Sequence, residues 1–135
     1  MTRHVIPALL VVAGVLLAAG AVSAHHSFAA VFDENKPVSV TGVLTEVRLE
    51  NPHSWFYVDV TDQNGKVTKW GFEGNTPTSL LRAGYKRDSV KVGDKVTIKG
   101  SRARDASANM GAAREIVLAD GRSFIVGPMG AADAN

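Results

Sequence analysis

Two different spacings of apolar residues divide the chain into a leader and a β-rich remainder. The leader has Arg3 near its start, an unbroken apolar stretch from Val5 to Leu17, and the small residues Val22-Ser23-Ala24 at its end. This pattern predicts a secretory signal at residues 1–24 that is cleaved after Ala24. The alternative is a retained membrane anchor, because the apolar run from Val5 to Val22 is 18 residues long, near the lower limit for a spanning helix.

The remainder alternates with the two-residue period of β-strands. Alternation is cleanest from Ser54 to Thr61, and successive side chains of a strand point to opposite faces. Asp62-Gln63-Asn64-Gly65 is a hairpin signal, so the returning strand is expected over Lys66 to Glu73. One face of the clearest strand carries Phe56, Val58 and Val60, and the other carries Trp55, Tyr57 and Asp59.

The first predicted strand, Val38 to Glu50, is long and irregular. Its apolar residues change parity: they are Val38 and Val40 before Gly42, and Val43, Val47 and Leu49 after it. A change of parity within one strand predicts a bulge or a sharp bend near Gly42.

A short helix is predicted after the hairpin, from Thr76 to Gly84. Thr76 suits the N-cap, Pro77 suits the first helical position, and Gly84 suits the end. Leu80 and Leu81 are both expected to be buried in the core. Later strands are expected over Lys95 to Gly100 and Arg114 to Leu118, with a loop in the Ala- and Gly-rich stretch 103–113 and a short apolar segment from Phe124 to Val126.

Five strands with a helix between the third and fourth are the chain order of an oligonucleotide/oligosaccharide-binding (OB) barrel. We therefore predict an all-β, five-stranded OB-like barrel domain at residues 38–128. An N-terminal arm at 25–37 precedes it, and a disordered tail at 129–135 follows. A small β-sandwich is the competing architecture, because strand number alone does not decide closure.

Composition and charge restrict the function classes. The chain has no cysteine, which excludes disulfides, thiolate metal sites and cysteine nucleophiles and, with the signal, fits the bacterial periplasm. Without the leader, 14 Lys and Arg stand against 13 Asp and Glu. This balance predicts no nucleic-acid partner, and no membrane attachment is expected after signal cleavage. No nucleophile elbow, phosphate loop or zinc-protease helix is present, so no enzymatic activity is expected.

Histidines mark the candidate metal site. Cleavage after Ala24 would make His25 and His26 the first two residues, where the free amine and an imidazole can close a chelate ring. Such nitrogen donors suit Cu(II), with Ni(II) and Zn(II) less favoured. His53 is a further candidate ligand if the arm folds back. The alternatives are a solvated His-His start and a packing role for His53.

Trp55 and Tyr57 form a candidate ligand or interaction face. In OB barrels the second and third strands carry the binding face, where exposed rings stack on bases or sugars. Here the two rings would bind a small molecule or glycan, or contact another periplasmic protein. The alternative is that the arm or the C-terminal segment covers them.

Several segments of the chain together carry a family resemblance. They include Ala24-His25-His26-Ser27-Phe28, Asn51-Pro52-His53-Ser54-Trp55, Trp70-Gly71-Phe72-Glu73-Gly74 and Leu81-Arg82-Ala83-Gly84. In these segments and their spacing, the chain resembles the small exported bacterial proteins of the domain-of-unknown-function 6152 family. The resemblance implies an exported single-domain protein and implies no activity, cofactor or partner.

Overall fold

The computed structural model describes residues 28–128. The chain divides into two compact units, Met1–Val31 and Phe32–Asn135, and the described part of the first unit, residues 28–31, is helical. The predicted signal, His25, His26 and the predicted tail lie outside the described residues. None of the helices within the described range has the length and apolar character needed to cross a membrane.

The described part of the second unit is a six-stranded sheet with one short helix. Its elements are β1 (Phe32–Arg48), β2 (Trp55–Thr61), β3 (Val67–Glu73), α1 (Pro77–Arg82), β4 (Lys95–Ala103), β5 (Met110–Leu118) and β6 (Ser123–Ile125). The strands are hydrogen-bonded in the order β3-β2-β1-β4-β5-β6, with neighbours antiparallel. The all-β prediction is confirmed, and the helix lies between the third and fourth strands as predicted. The sheet has six strands where five were predicted, because the short apolar segment that begins near Phe124 pairs with β5 as β6.

A parallel pairing between β3 and β5 links two strands that are not neighbours in that order. Gly71, Phe72 and Glu73 pair with Met110, Gly111 and Ala112, respectively. The pairings β1–β2, β2–β3, β3–β5, β5–β4 and β4–β1 therefore follow one another in a cycle. Closure of a sheet on itself needs such a cycle of pairings.

The core is built from the inward residues of the strands and from α1. The Oγ1 atom of Thr76 caps α1 by accepting a hydrogen bond from the Ser79 amide at 3.2 Å, as predicted. Leu80 is buried in the core, but Leu81 is 63% exposed, so the expectation that both leucines plug the core is wrong for Leu81. The largest fully buried strand residues are Leu44, Phe56, Val58, Phe72, Val96, Ile98 and Ile116.

β1 differs from its prediction in its start and in its irregularity. It begins at Phe32, so residues 32–37 of the predicted arm belong to it. The alternation that starts at Val38 and Val40 continues to Leu44, which is fully buried, whereas Val43 is 46% exposed, and the register with β2 shifts only between Leu44 and Glu46. The bulge therefore follows Leu44, and Val43 does not share the apolar face as predicted. Gly42 has a different role: a Cβ there would collide with the carbonyl oxygen of Asp59.

β5 begins inside the stretch that was predicted to be a loop. Residues 110–113 are strand, although Gly and Ala are poor strand formers. Their small size is the physical reason, because β4 and β5 approach closely here. A Cβ on Gly100 would fall on the carbonyl oxygen of Ala112, and a Cβ on Gly111 would lie 2.9 Å from the carbonyl oxygen of Ser101.

Replacing Gly100 by Ala tests this close approach. We expect Gly100→Ala to lower the free energy of unfolding by about 2–4 kcal/mol, because the new methyl group meets a backbone carbonyl that cannot rotate away. Urea denaturation measures the change. Ser101→Ala on the same strand is the control, and its expected effect is under about 1 kcal/mol. A Gly100→Ala protein as stable as the control would contradict the close approach.

Candidate functional site

The β2–β3 hairpin directs one set of residues into the core and the other set outward. Phe56 pairs with Phe72 across the hairpin, and both side chains are fully buried. Because side chains alternate along a strand, Trp55 and Tyr57 lie on the opposite surface. Together with their cross-strand neighbours they form what we call the outer face, which consists of Glu46, Arg48, Trp55, Tyr57, Gly71 and Glu73.

The turn between β2 and β3 sets the register of this surface. The Asp62 carboxylate accepts hydrogen bonds from the amides of Asn64, at 2.8 Å, and Lys66, at 2.9 Å. Gly65 takes the positive φ of 79° that the turn requires, which glycine adopts without steric cost. The hairpin predicted at this position is therefore present, and turn geometry fixes the strand register.

Two rows of residues cross the outer face from β1 to β3. Trp55 pairs with Arg48 on one side and with Glu73 on the other. Tyr57 pairs with Glu46 and Gly71 in the same way. Each aromatic residue therefore lies between β1 and β3, with a carboxylate of the outer face in its own row.

Trp55 and Tyr57 are half-buried and stack on each other. Their ring centroids are 6.1 Å apart and their planes differ by 16°. Both rings lie near the empty Cβ position of Gly71, at 3.1 Å for Tyr57 Cε1 and 3.9 Å for Trp55 Cζ3. Glycine at this position leaves room for the ring pair above the sheet.

Arg48 and Glu46 flank the ring pair on the β1 side. The Nε atom of Arg48 donates to Glu46 Oε1 at 2.6 Å, and its guanidinium carbon lies 5.3 Å from the Tyr57 ring centroid. The hydrogen bond to Glu46 raises the pKa of Arg48. The guanidinium is therefore held between a carboxylate and an aromatic ring, the arrangement of a cation–π contact.

His53 lies two residues before the start of β2, and Glu73 ends β3. The Nδ1 atom of His53 contacts Glu73 Oε1, with 51% of the His53 side chain exposed. Ser54 is fully buried between His53 and Trp55. Its amide donates to the Asn75 carbonyl at 3.0 Å, and its carbonyl accepts from the Gly74 amide at 2.8 Å. These two hydrogen bonds hold the backbone next to His53 against the residues that follow β3.

The contact with Glu73 distinguishes the two nitrogens of the His53 ring. A carboxylate accepts hydrogen bonds, so in the neutral imidazole Nδ1–H would be the donor and Nε2 would be the acceptor or metal ligand. Within residues 28–128, no three His, Asp or Glu side chains gather as a metal site. Of the three predicted metal ligands, the structure describes His53 alone, since His25 and His26 lie outside the described range.

The predicted site did not include the partners of its own residues. Glu73, Arg48, Glu46 and Gly71 complete the outer face but were not predicted as site residues. A sequence signal for Glu73 existed: Trp55 and Glu73 both lie nine positions from Asn64, and a hairpin centred there pairs them. The position of Arg48 had no such signal, because the bulge in β1 shifts the register with β2.

The fold and this site define a small β-sheet protein with a partly exposed aromatic face bordered by charged residues. The chain belongs to a family of unknown function, DUF6152, whose model matches residues 12–112. That range includes His25, His26, His53 and every residue of the outer face. No curated protein matches the chain. Family membership assigns no activity, so function must be argued from the residues themselves.

The pairing of His53 with Glu73 predicts which ring nitrogen carries the proton. In the neutral imidazole we expect the proton on Nδ1, because Glu73 accepts from that atom. Long-range proton–nitrogen NMR spectra distinguish the two tautomers. Glu73→Ala should reduce the Nδ1–H form, whereas the control Glu46→Ala should leave it unchanged. Identical ring-nitrogen spectra for Glu73→Ala and the wild type would contradict the pairing.

Proposed function

We propose that the protein is an exported, non-catalytic protein that binds Cu(II), or a similar divalent ion, through its mature amino terminus and His53. The observation that carries the proposal is the contact between His53 Nδ1 and Glu73. Histidines that ligate metals almost always donate their other ring N–H to a carboxylate, a backbone carbonyl or water. Such a partner fixes the ring and makes the ligating nitrogen more basic, and Glu73 has this relation to His53.

The remaining ligands come from signal cleavage after Ala24. That event makes His25 the first residue of the mature protein and provides a free amine beside two imidazoles. A set of nitrogen donors without thiolates favours Cu(II), with Ni(II) and Zn(II) as weaker competitors. The same cleavage places the protein in the periplasm, free of a membrane anchor.

Copper titration of the mature protein tests the proposal. We expect one Cu(II) per chain, with nitrogen hyperfine structure in the electron paramagnetic resonance spectrum. Acetylation of the His25 amine should weaken binding at least tenfold, because it removes the chelating amine, and His53→Ala should weaken it by a similar factor. Arg48→Ala is the control with full affinity. Equal affinity in all four proteins would contradict the proposal.

The mass of the exported protein tests the predicted cleavage after Ala24 separately. Expression with the natural leader should give a periplasmic chain that begins at His25. A chain that begins at any other residue would exclude the amine chelate. In that case, copper binding by a protein expressed with His25 as its first residue would show only that these ligands can bind copper. It would say nothing about the exported protein.

A second candidate function is the binding of a ring-bearing small molecule or glycan by Trp55 and Tyr57. The stacked, half-buried ring pair above Gly71 favours it. Glu46 and Glu73 border the rings and would repel a polyanion, while their oxygens can accept hydrogen bonds from sugar hydroxyls. The favoured ligand is therefore an uncharged sugar chain, and another exported protein is the alternative occupant.

Tryptophan fluorescence tests this second function. In a Trp70→Phe protein, Trp55 is the sole tryptophan, and cello- or chito-oligosaccharides should change its emission on binding. Tyr57→Ala in this background should weaken binding about tenfold or more, since one stacked ring contributes about 1–3 kcal/mol. Heparin is the anionic control and should not bind. Emission that is unchanged by millimolar concentrations of either oligosaccharide would contradict sugar binding.

A further inference from the structure

The connection between α1 and β4 carries an uneven share of the charge. Residues 82–95 contain five Lys and Arg against two Asp, whereas the rest of residues 28–128 contains nine Lys and Arg against ten Asp and Glu. All five cations are exposed: Arg82, Lys86, Arg87, Lys91 and Lys95. The near-balance of the whole chain therefore conceals one basic segment.

The two acidic residues of this segment do not neutralise it. Within residues 28–128, no carboxylate forms an ion pair with any of the five cations. The Asp94 carboxylate accepts a hydrogen bond from the Lys91 backbone amide at 2.8 Å, so it closes a turn. Asp88 is exposed. The segment therefore presents a net positive charge to solvent.

Contacts at both ends place this connection alongside the second half of β1. Near its start, Arg87 lines a small cavity together with Leu49, the residue after β1. Near its end, the Gly93 amide donates to the Leu44 carbonyl at 2.8 Å, and the Leu44 amide donates to the Asp94 carbonyl at 2.9 Å. Five residues of strand span at most about 17 Å, so the cations follow a strip of about that length.

Two exposed aliphatic residues lie in the same stretch. Leu81 is 63% exposed and Val92 is 66% exposed, the highest values among the large hydrophobic residues of the described chain. Each is adjacent in sequence to one of the cations. Leu80, Tyr85 and Val90 are buried and hold the connection to the core. We call Leu81, Val92 and the five cations the basic strip.

We propose that the basic strip binds reversibly to the surface of an anionic phospholipid membrane. Each Lys or Arg near such a surface raises the affinity about fivefold. Leu81 and Val92 would enter the boundary between the headgroups and the acyl chains. A soluble polyanion offers no apolar interior to these two side chains, so the combination favours lipid. Such contact needs no membrane anchor and is compatible with cleavage of the signal.

This surface is independent of the proposed metal and sugar functions. It shares no residue with the outer face, with His53 or with the amino terminus. Failure of the copper titration therefore leaves this inference untouched, and failure of this inference leaves the copper proposal untouched.

Co-sedimentation with lipid vesicles tests the inference. In about 150 mM salt, we expect the exported protein to bind vesicles that contain phosphatidylglycerol and not vesicles of phosphatidylcholine alone. The double variant Lys86→Gln/Arg87→Gln should bind about twentyfold more weakly, because it removes two cations of the strip. Val92→Ser should bind about fivefold more weakly, because it removes an aliphatic group that enters the membrane.

Matched control variants come from the β2–β3 hairpin. Lys66→Gln/Lys69→Gln removes the same charge from two exposed positions, and Val67→Ser removes an aliphatic residue that is 55% exposed. Both control proteins should bind as the wild type does. Heparin carries negative charge without an apolar interior, so it should not displace the protein from the vesicles.

Four results would overturn the inference. The first two are an absence of binding to phosphatidylglycerol vesicles and equal binding to anionic and neutral vesicles. The third is an equal loss of binding in the strip variants and the hairpin controls, which would show that total charge alone decides. The fourth is displacement by heparin together with full binding by Val92→Ser, which would identify a soluble polyanion as the partner.

Discussion

The parallel pairing of β3 with β5 is the constraint on which the rest of the structure depends. It requires β5 to bond to β3 on one edge while it lies against β4 on the other. Gly100 and the small residues at the start of β5 make that approach sterically possible. The pairing holds the last three residues of β3, and Glu73 is one of them. The carboxylate that contacts His53 is thus positioned by the pairing of β3 with β5.

Local signals in the sequence were sufficient for the elements that local physics dominates. The alternation in β2, the turn at Gly65 and the cap at Thr76 each predicted a feature that the structure contains. The position of the bulge, after Leu44 and not near Gly42, could not be predicted in the same way, because it depends on pairing with β2. The start of β5 was missed for a related reason: tertiary packing selects small residues there against their own strand propensity.

The candidate site was predictable only for the residues that local sequence patterns place. Sequence alternation was enough to bring Trp55 and Tyr57 to one surface, and the segment before β2 contained His53. Long-range register was needed to add Glu73 and Arg48. Ser54 connects these contributions, because its buried backbone bonds to residues just after β3 and holds its two neighbours outward. The buried residue Ser54 therefore holds both His53 and Trp55 at the surface, although these two side chains support different candidate functions.

The cycle of strand pairings also determines how much unpaired backbone the described sheet offers to other chains. β6 has only three residues, and the part of β3 that does not pair with β5 carries exposed Lys69. Short strands and lysine are both features that discourage edge-to-edge association. Addition of a strand from another chain at these edges of the described sheet is therefore disfavoured.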